Sequence, residues 1–150
     1  MSQLFSPLKL GELTLDNRII IAPMCQYSAN QGSASDWHII HLGQLSLSGA
    51  GLLILEAAAV SPEGRISYAD LGLWNNETQQ ALGKSLKALR QYSPMPIGIQ
   101  LAHAGRKAST EKPWDGGGAI APSEDNGWQT LAPSAIAYDD NAYQPKAMTK

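Results

Sequence analysis

The chain of 150 residues has one cysteine, Cys25, and one phenylalanine. A lone cysteine cannot close an internal disulfide, and no paired-cysteine pattern is present to hold zinc. Charge is sparse as well: 13 acidic residues stand against 11 basic ones, a net charge of −2, and no basic block interleaves with aromatics. Nucleic-acid binding therefore lacks an electrostatic footprint. No apolar run approaches the ~20 residues of a membrane span. The opening "MSQLFSPLKLGELTL" lacks the basic head and long apolar block of a secretory signal. Neither a phosphate-binding P-loop nor a nucleophile elbow occurs. The Gly49–Ala50–Gly51 stretch runs straight into Leu-Leu-Ile, so it does not make a dinucleotide fingerprint. These absences lead to the expectation of a cytoplasmic protein with no nucleic-acid or membrane partner.

Apolar residues make up 43% of the chain, enough for a core and too many for a disordered segment. Three short continuous apolar runs stand out: "RIIIAPM" (18–24), "GLLILEA" (51–57) and "PIGIQLA" (96–102). Unbroken runs of this kind read as parallel strands covered on both faces. Between the first two lies a helical segment that Ser35 or Asp36 can cap and Gly49 can end. Between the second and third, Leu82, Leu86 and Leu89 recur at helical spacing, with Asn75 or Asn76 as cap and Pro94 as stop. Strand–helix–strand–helix–strand implies right-handed crossovers and a parallel sheet. Ahead of it, "LKL" and "LTL" around Gly11–Glu12 predict a hairpin. Behind it, residues 103–142 form a polar excursion too long for a plain connection, with Gly116–Gly118 as a flexible tip. The final "QPKAMTK" reads as the approach to another helix. Three parallel strands alone leave open edges, so the pattern is expected to be the first part of a larger α/β fold.

In such sheets ligands sit beyond the C-terminal strand ends. Cys25, Tyr27, Glu56, Gln100, His103 and Arg106 all fall at or just past those ends. Each also has a plainer reading. A lone cysteine is commonly a small buried hydrophobe, and Glu56 can simply pair with a nearby basic group. His38 and His41, at i, i+3, could suit a metal, but no third ligand lies beside them in sequence, and recruiting His103 requires a helix and a strand end to converge. No metal is expected. Trp114 and Trp128 either form a lid or pack on the rim.

The long stretches "LFSPLKLGELTLDNRIIIAPMCQYSA", "DWHIIHLGQLSLSGAGLLILEAAAVSPEGRIS" and "GIQLAHAGRKAS", followed by "PW" at 113–114 and "LAPSAIAY" at 131–138, resemble the Old Yellow Enzyme family of flavin-dependent ene-reductases. The likeness covers essentially the whole chain, and several long motifs occur in the right order. The family fold is a (β/α)8 barrel with non-covalent FMN at its C-terminal rim. The resemblance implies that residues 1–150 supply the N-terminal hairpin, the first three strands and the first two helices of one FMN-binding barrel. It implies that Ala22, Pro23, Met24, Cys25, Ala57 and Gln100 line the flavin, Gln100 meeting the pyrimidine edge with an amide that both donates and accepts. Cys25 would tune the flavin potential, and Tyr27 would point into the substrate pocket; these two are the candidate catalytic residues. Cysteine at position 25 in place of threonine, and Ala102 in place of tryptophan, are similar to the xenobiotic-reductase subclass.

The implied chemistry is hydride transfer from NAD(P)H to FMN, then to the β-carbon of an activated alkene such as an enone or related xenobiotic electrophile, with a proton added at the α-carbon. The family's substrate-polarising histidine pair, proton-donating tyrosine and phosphate loops have no counterpart in these 150 residues. Two partner expectations follow: a homo-oligomer, and a complementary C-terminal chain completing the barrel. The competing expectation is a catalytically inactive fragment.

Overall fold

The structure is a computed structural model that describes residues 2–149. It opens with a hairpin of β1 (Leu8–Leu10) and β2 (Leu13–Leu15), where Leu10 pairs with Leu13 across the predicted Gly11–Glu12 turn. Gly11 has φ +56°, a left-handed value that two-residue hairpin turns require. A three-stranded parallel sheet follows in the order β3 (Ile20–Ile21), β4 (Leu52–Ala59), β5 (Ile97–Ala102). The crossovers are α1 (Asp36–Ser46) and α2 (Asn76–Leu89).

Both helices begin where the sequence says they should. Asn75 is extended, and its side chain accepts from the Thr78 N–H at 2.9 Å, which satisfies one of the donors a helix start leaves open. The buried stripe of α2 is Thr78, Leu82, Ser85 and Leu89, a 3.6-residue period that faces one neighbour. α1 starts at Ser35, ends in a tightened turn at Leu47, and Gly49 follows two residues later at φ +83°. Leu42, Leu53, Leu55, Ala58, Leu71, Leu82, Leu89 and Met95 close into one core between the helices and the sheet.

One expectation needs correction. The first strand does not run over 18–24: only Ile20 and Ile21 enter the ladder, opposite Leu52 and Leu53. Pro23 has no N–H to give, so the pairing lapses before it. The described part of "QPKAMTK" is extended: Lys146–Ala147 is a strand, β7, parallel to β6 (Leu131–Ala132), and the helix expected after it lies outside the described residues. Pro145 is fully buried, and the Lys146 N–H donates to Thr130 O and the Met148 N–H to Ala132 O. Tertiary pairing with the long excursion thus holds the segment extended.

Glycines mark the closest approaches. A Cβ on Gly51 would collide with the Asn17 carbonyl oxygen, while Asn17 donates from its amide to Gly49 O and accepts from the Ile19 N–H. The Gly49–Gly51 pair therefore serves a close crossing that sets β3 beside β4. Trp74 lies between Gly32, at φ +81°, and Gly72, and a Cβ on either would overlap its ring.

We expect Gly72→Ala to lower stability by roughly 1–3 kcal/mol through overpacking against the Trp74 ring, and Asn75→Ala by about 1 kcal/mol through loss of the α2 cap. Urea midpoints at unchanged slope are the measurement; wild-type midpoints for both variants would contradict these assignments.

Candidate functional site

The register of β4 against β5 is irregular. Leu53, Ile54 and Leu55 pair with Ile97, Gly98 and Ile99, yet Ala57 pairs with Gln100, so Glu56 is an extra residue in the central strand. Side chains alternate along a strand, and a one-residue bulge resets which face they take. Leu53 and Leu55 point to the helices, and so does Ala58 beyond the bulge, all three lying in the core. Ala57 consequently falls on the opposite face, in register with Gln100. Ile54 and Gly98 pair on that same face, the Ile54 Cγ1 lying 3.7 Å from where a Gly98 Cβ would be.

The extra residue is itself buried. Glu56 Oε2 accepts the Gln26 backbone N–H at 2.9 Å, and Oε1 lies 3.3 Å from His38 Nε2 without the alignment of a hydrogen bond. His38 Nδ1 accepts the Ser35 backbone N–H at 2.9 Å, which assigns the proton to Nε2, facing the carboxylate. Glu56 thus takes the pairing role foreseen for it, with histidine as the partner.

This contact brings the loop after β3 onto the end of β4. Cys25 is half-buried. Burial, then the charge on Asp70, pushes its thiol up to about 11, only partly offset by the Ala57 backbone amide. Ala57 and Gln100 pair across β4 and β5, and the Gln26–Glu56 hydrogen bond brings Cys25, the residue before Gln26, to the same end of the sheet. Their exposure differs: Gln100 is exposed, Cys25 half-buried and Ala57 buried, while Met24, next to Cys25 in the chain, is 63% exposed. Among the described residues the Gln100 amide has no hydrogen-bond partner. Ala22 and Met24 border a small recess against α1, shared with His41, Ile54 and Glu56.

Tyr27 leaves this line. Its φ of +49° is a left-handed value that a bulky residue adopts at a cost, and it turns the ring edge-on to Trp114, centroids 5.5 Å apart. Burial first, then the nearby Cys25, Asp70 and Glu56, raise its phenol, so it is neutral at pH 7. Tyr27 borders a cavity of about 580 Å³ roofed by the 103–142 excursion, with Arg106, Lys107, Trp128 and Tyr138 in its lining. Gly116 and Gly117, both at positive φ, shape its edge as part of the predicted tip. Lys107 Nζ lies 4.5 Å above the Tyr138 ring. Trp128 packs rather than covers: its Nε1 donates to Glu63 O at 2.9 Å, and the Arg65 guanidinium lies between its ring and that of Trp74.

The histidines do not converge. His103 takes the Gly105 N–H on Nδ1 and lies against Gly64, while His41 stacks on Trp37. No cluster of three candidate metal ligands exists among the described residues. No described helix is long and apolar enough to cross a membrane. The residue missed in the sequence is Gln26. Besides its bond to Glu56, it accepts the Trp37 Nε1–H at 3.1 Å, donates its amide to Met24 O at 2.9 Å, and its carbonyl receives the Ser28 hydroxyl. A glutamine between Cys25 and Tyr27 carries no period or motif of its own.

Parallel strands joined by helices, with polar groups gathered at the C-terminal strand tips, are the arrangement of part of a (β/α) barrel. Comparison with known proteins agrees. Over 99% of its length the chain matches morphinone reductase bound to tetrahydroNAD at a TM-score of 0.76 and 26% identity, covering 41% of that chain. The old yellow enzyme of Trypanosoma cruzi matches at 0.76 and 26% over 98%, of which the chain spans 42%. In sequence it is 46% identical to an NADPH dehydrogenase of Listeria monocytogenes, all of this chain aligning with 40% of that protein. It is 43% identical to an NADH:flavin oxidoreductase of Gibberella zeae, with 37% of that protein covered. The chain belongs to the NADH:flavin oxidoreductase / NADH oxidase family, whose pattern matches residues 3–150. It spans about two fifths of the length of these relatives.

With its thiol near 11, Cys25 is roughly one-thousandth ionised at pH 8. Iodoacetamide should modify it about 100-fold more slowly than a free thiol at that pH. The rate should keep rising with hydroxide beyond pH 9.5; a plateau reached by pH 9 would contradict the burial.

Proposed function

We propose that these residues form the flavin-binding rim of an NAD(P)H-dependent FMN oxidoreductase that reduces the C=C bond of activated alkenes, enones and related xenobiotic electrophiles among them. Residues 1–150 are then the N-terminal portion of a single FMN-binding barrel. The observation that carries the reading is that Cys25, Ala57 and Gln100 meet at one end of the sheet, through the Glu56 bulge and the Gln26–Glu56 hydrogen bond.

The residues present fit the cofactor. An exposed amide that both donates and accepts suits a flavin pyrimidine edge, which offers both kinds of group. A small side chain at Ala57 leaves room for a flat ring, and a thiol kept neutral adds polarity without a charge. Bound FMN supplies hydride chemistry, from NAD(P)H to the alkene β-carbon. The protein's part is to orient and exclude water. Gln100 fixes the ring edge; Ala22, Pro23 and Met24 bring backbone to it; Cys25 stands next to it and sets its potential. Tyr27, a neutral phenol bordering the 580 Å³ cavity, donates a hydrogen bond to a substrate polar group.

In the full-length protein, Gln100→Ala should weaken FMN about tenfold or more, as loss of paired polar contacts to a ligand does, read by flavin fluorescence. Cys25→Ser should shift the flavin midpoint potential while leaving FMN affinity nearly unchanged. Unaltered affinity in the first and an unaltered potential in the second would remove these residues from the site.

A further inference from the structure

The loop 24–27 carries both candidate catalytic side chains yet has no sheet partner, since the β3 ladder ends at Ile21. Something else must hold it in place. Gln26 is the point of attachment, with all four of its polar groups engaged: the N–H on Glu56, the carbonyl by the Ser28 hydroxyl, the side-chain oxygen by Trp37, and the side-chain nitrogen on Met24. Its two long-range anchors come from different elements, Glu56 from the bulge of β4 and Trp37 from the first turn of α1.

We propose that Glu56 and Gln26 are positioning residues. The buried carboxylate, oriented by His38, grips the Gln26 N–H and thereby holds Cys25 against Ala57 and Tyr27 in its left-handed conformation. This deepens the reading above and rests on it, because positioning matters only if Cys25 faces the flavin. The argument is geometric. A carboxylate at 4% exposure is costly unless both oxygens are engaged, and here one takes a loop amide while the other faces a histidine whose tautomer is set by the α1 cap. The bulge that places Ala57 in register with Gln100 also supplies the acid that holds Cys25. One irregularity thus sets two of the three rim tips, and a plain strand could set neither.

The test separates positioning from general stability and does not depend on flavin. In the full-length protein, Glu56→Gln keeps an oxygen for the Gln26 N–H, whereas Glu56→Ala removes it; Leu89→Ala, in the α2 core, serves as a destabilised control. Hydrogen exchange at the Gln26 amide and maleimide modification of Cys25 are followed at pH 7. Glu56→Ala should accelerate both by about tenfold or more, the scale of a lost hydrogen bond to a charged group, with Glu56→Gln close to wild type at the Gln26 amide. Leu89→Ala should leave both near wild type. If Leu89→Ala accelerates them as much as Glu56→Ala, or if Glu56→Ala leaves them unchanged, the positioning role is overturned. Should Glu56→Ala not fold, Glu56→Asp, whose shorter side chain draws the carboxylate back from the Gln26 backbone N–H, takes its place: faster exchange at the Gln26 amide than in Glu56→Gln supports the role, and wild-type exchange in Glu56→Asp refutes it. If these hold while Cys25→Ser leaves the flavin potential unmoved, the flavin reading fails and the loop clamp stands.

Discussion

A buried carboxylate sitting in a strand bulge is the constraint on which the rim depends. Glu56 is extra to the ladder, so its strand must kink, and the kink moves Ala57 to the face opposite the helices. The charge it brings inside is tolerable only because the Gln26 amide and His38 meet it there. Remove the bulge and Ala57 turns into the core, out of register with Gln100. Remove the carboxylate's partners and an uncompensated charge remains buried.

The surrounding architecture serves the same corner. Helix α1 delivers His38 to Glu56 and Trp37 to Gln26 from a single turn. The loops leaving β4 close by a different device: Trp74 fits only because Gly32 and Gly72 lack side chains, and Arg65 then fills the space between Trp74 and Trp128. Asp70, buried beside this loop, accepts the Ile66 N–H and the Ser67 hydroxyl; these offset its burial only in part, so its carboxyl stays above the usual range, and its field reaches Cys25 and Tyr27. The cavity beside Tyr27 borders the same loops, with Ile66 and Trp128 in its wall. In the proposed enzyme this gives a substrate side separated from the flavin side by one strained residue.

Much of the fold was legible because it rests on short-range signals. Apolar runs gave β4 and β5, leucine spacing gave α2, Asn75 and Ser35 marked helix starts, and Gly11 marked the hairpin turn. The first strand was read too long because an apolar run says nothing about ladder partners, and Pro23 ends the pairing inside that run. The strand at Lys146–Ala147 is not legible because its partner, Leu131–Ala132, lies in the excursion and leaves no local trace.

By itself the sequence determined the order of strands and helices, the end of the sheet at which polar groups collect, and the family likeness, since each depends on residue type and spacing along the chain. Only the tertiary structure decided that Glu56 is a bulge, that His38 is its partner rather than a metal ligand, and that Gln26 ties Cys25 to the rim. Those facts are set by contacts between residues far apart in the chain, such as His38 to Glu56, Gln26 to Glu56 and Ala57 to Gln100. A carboxylate's role in a strand is fixed by what meets it across space, and no local pattern encodes that.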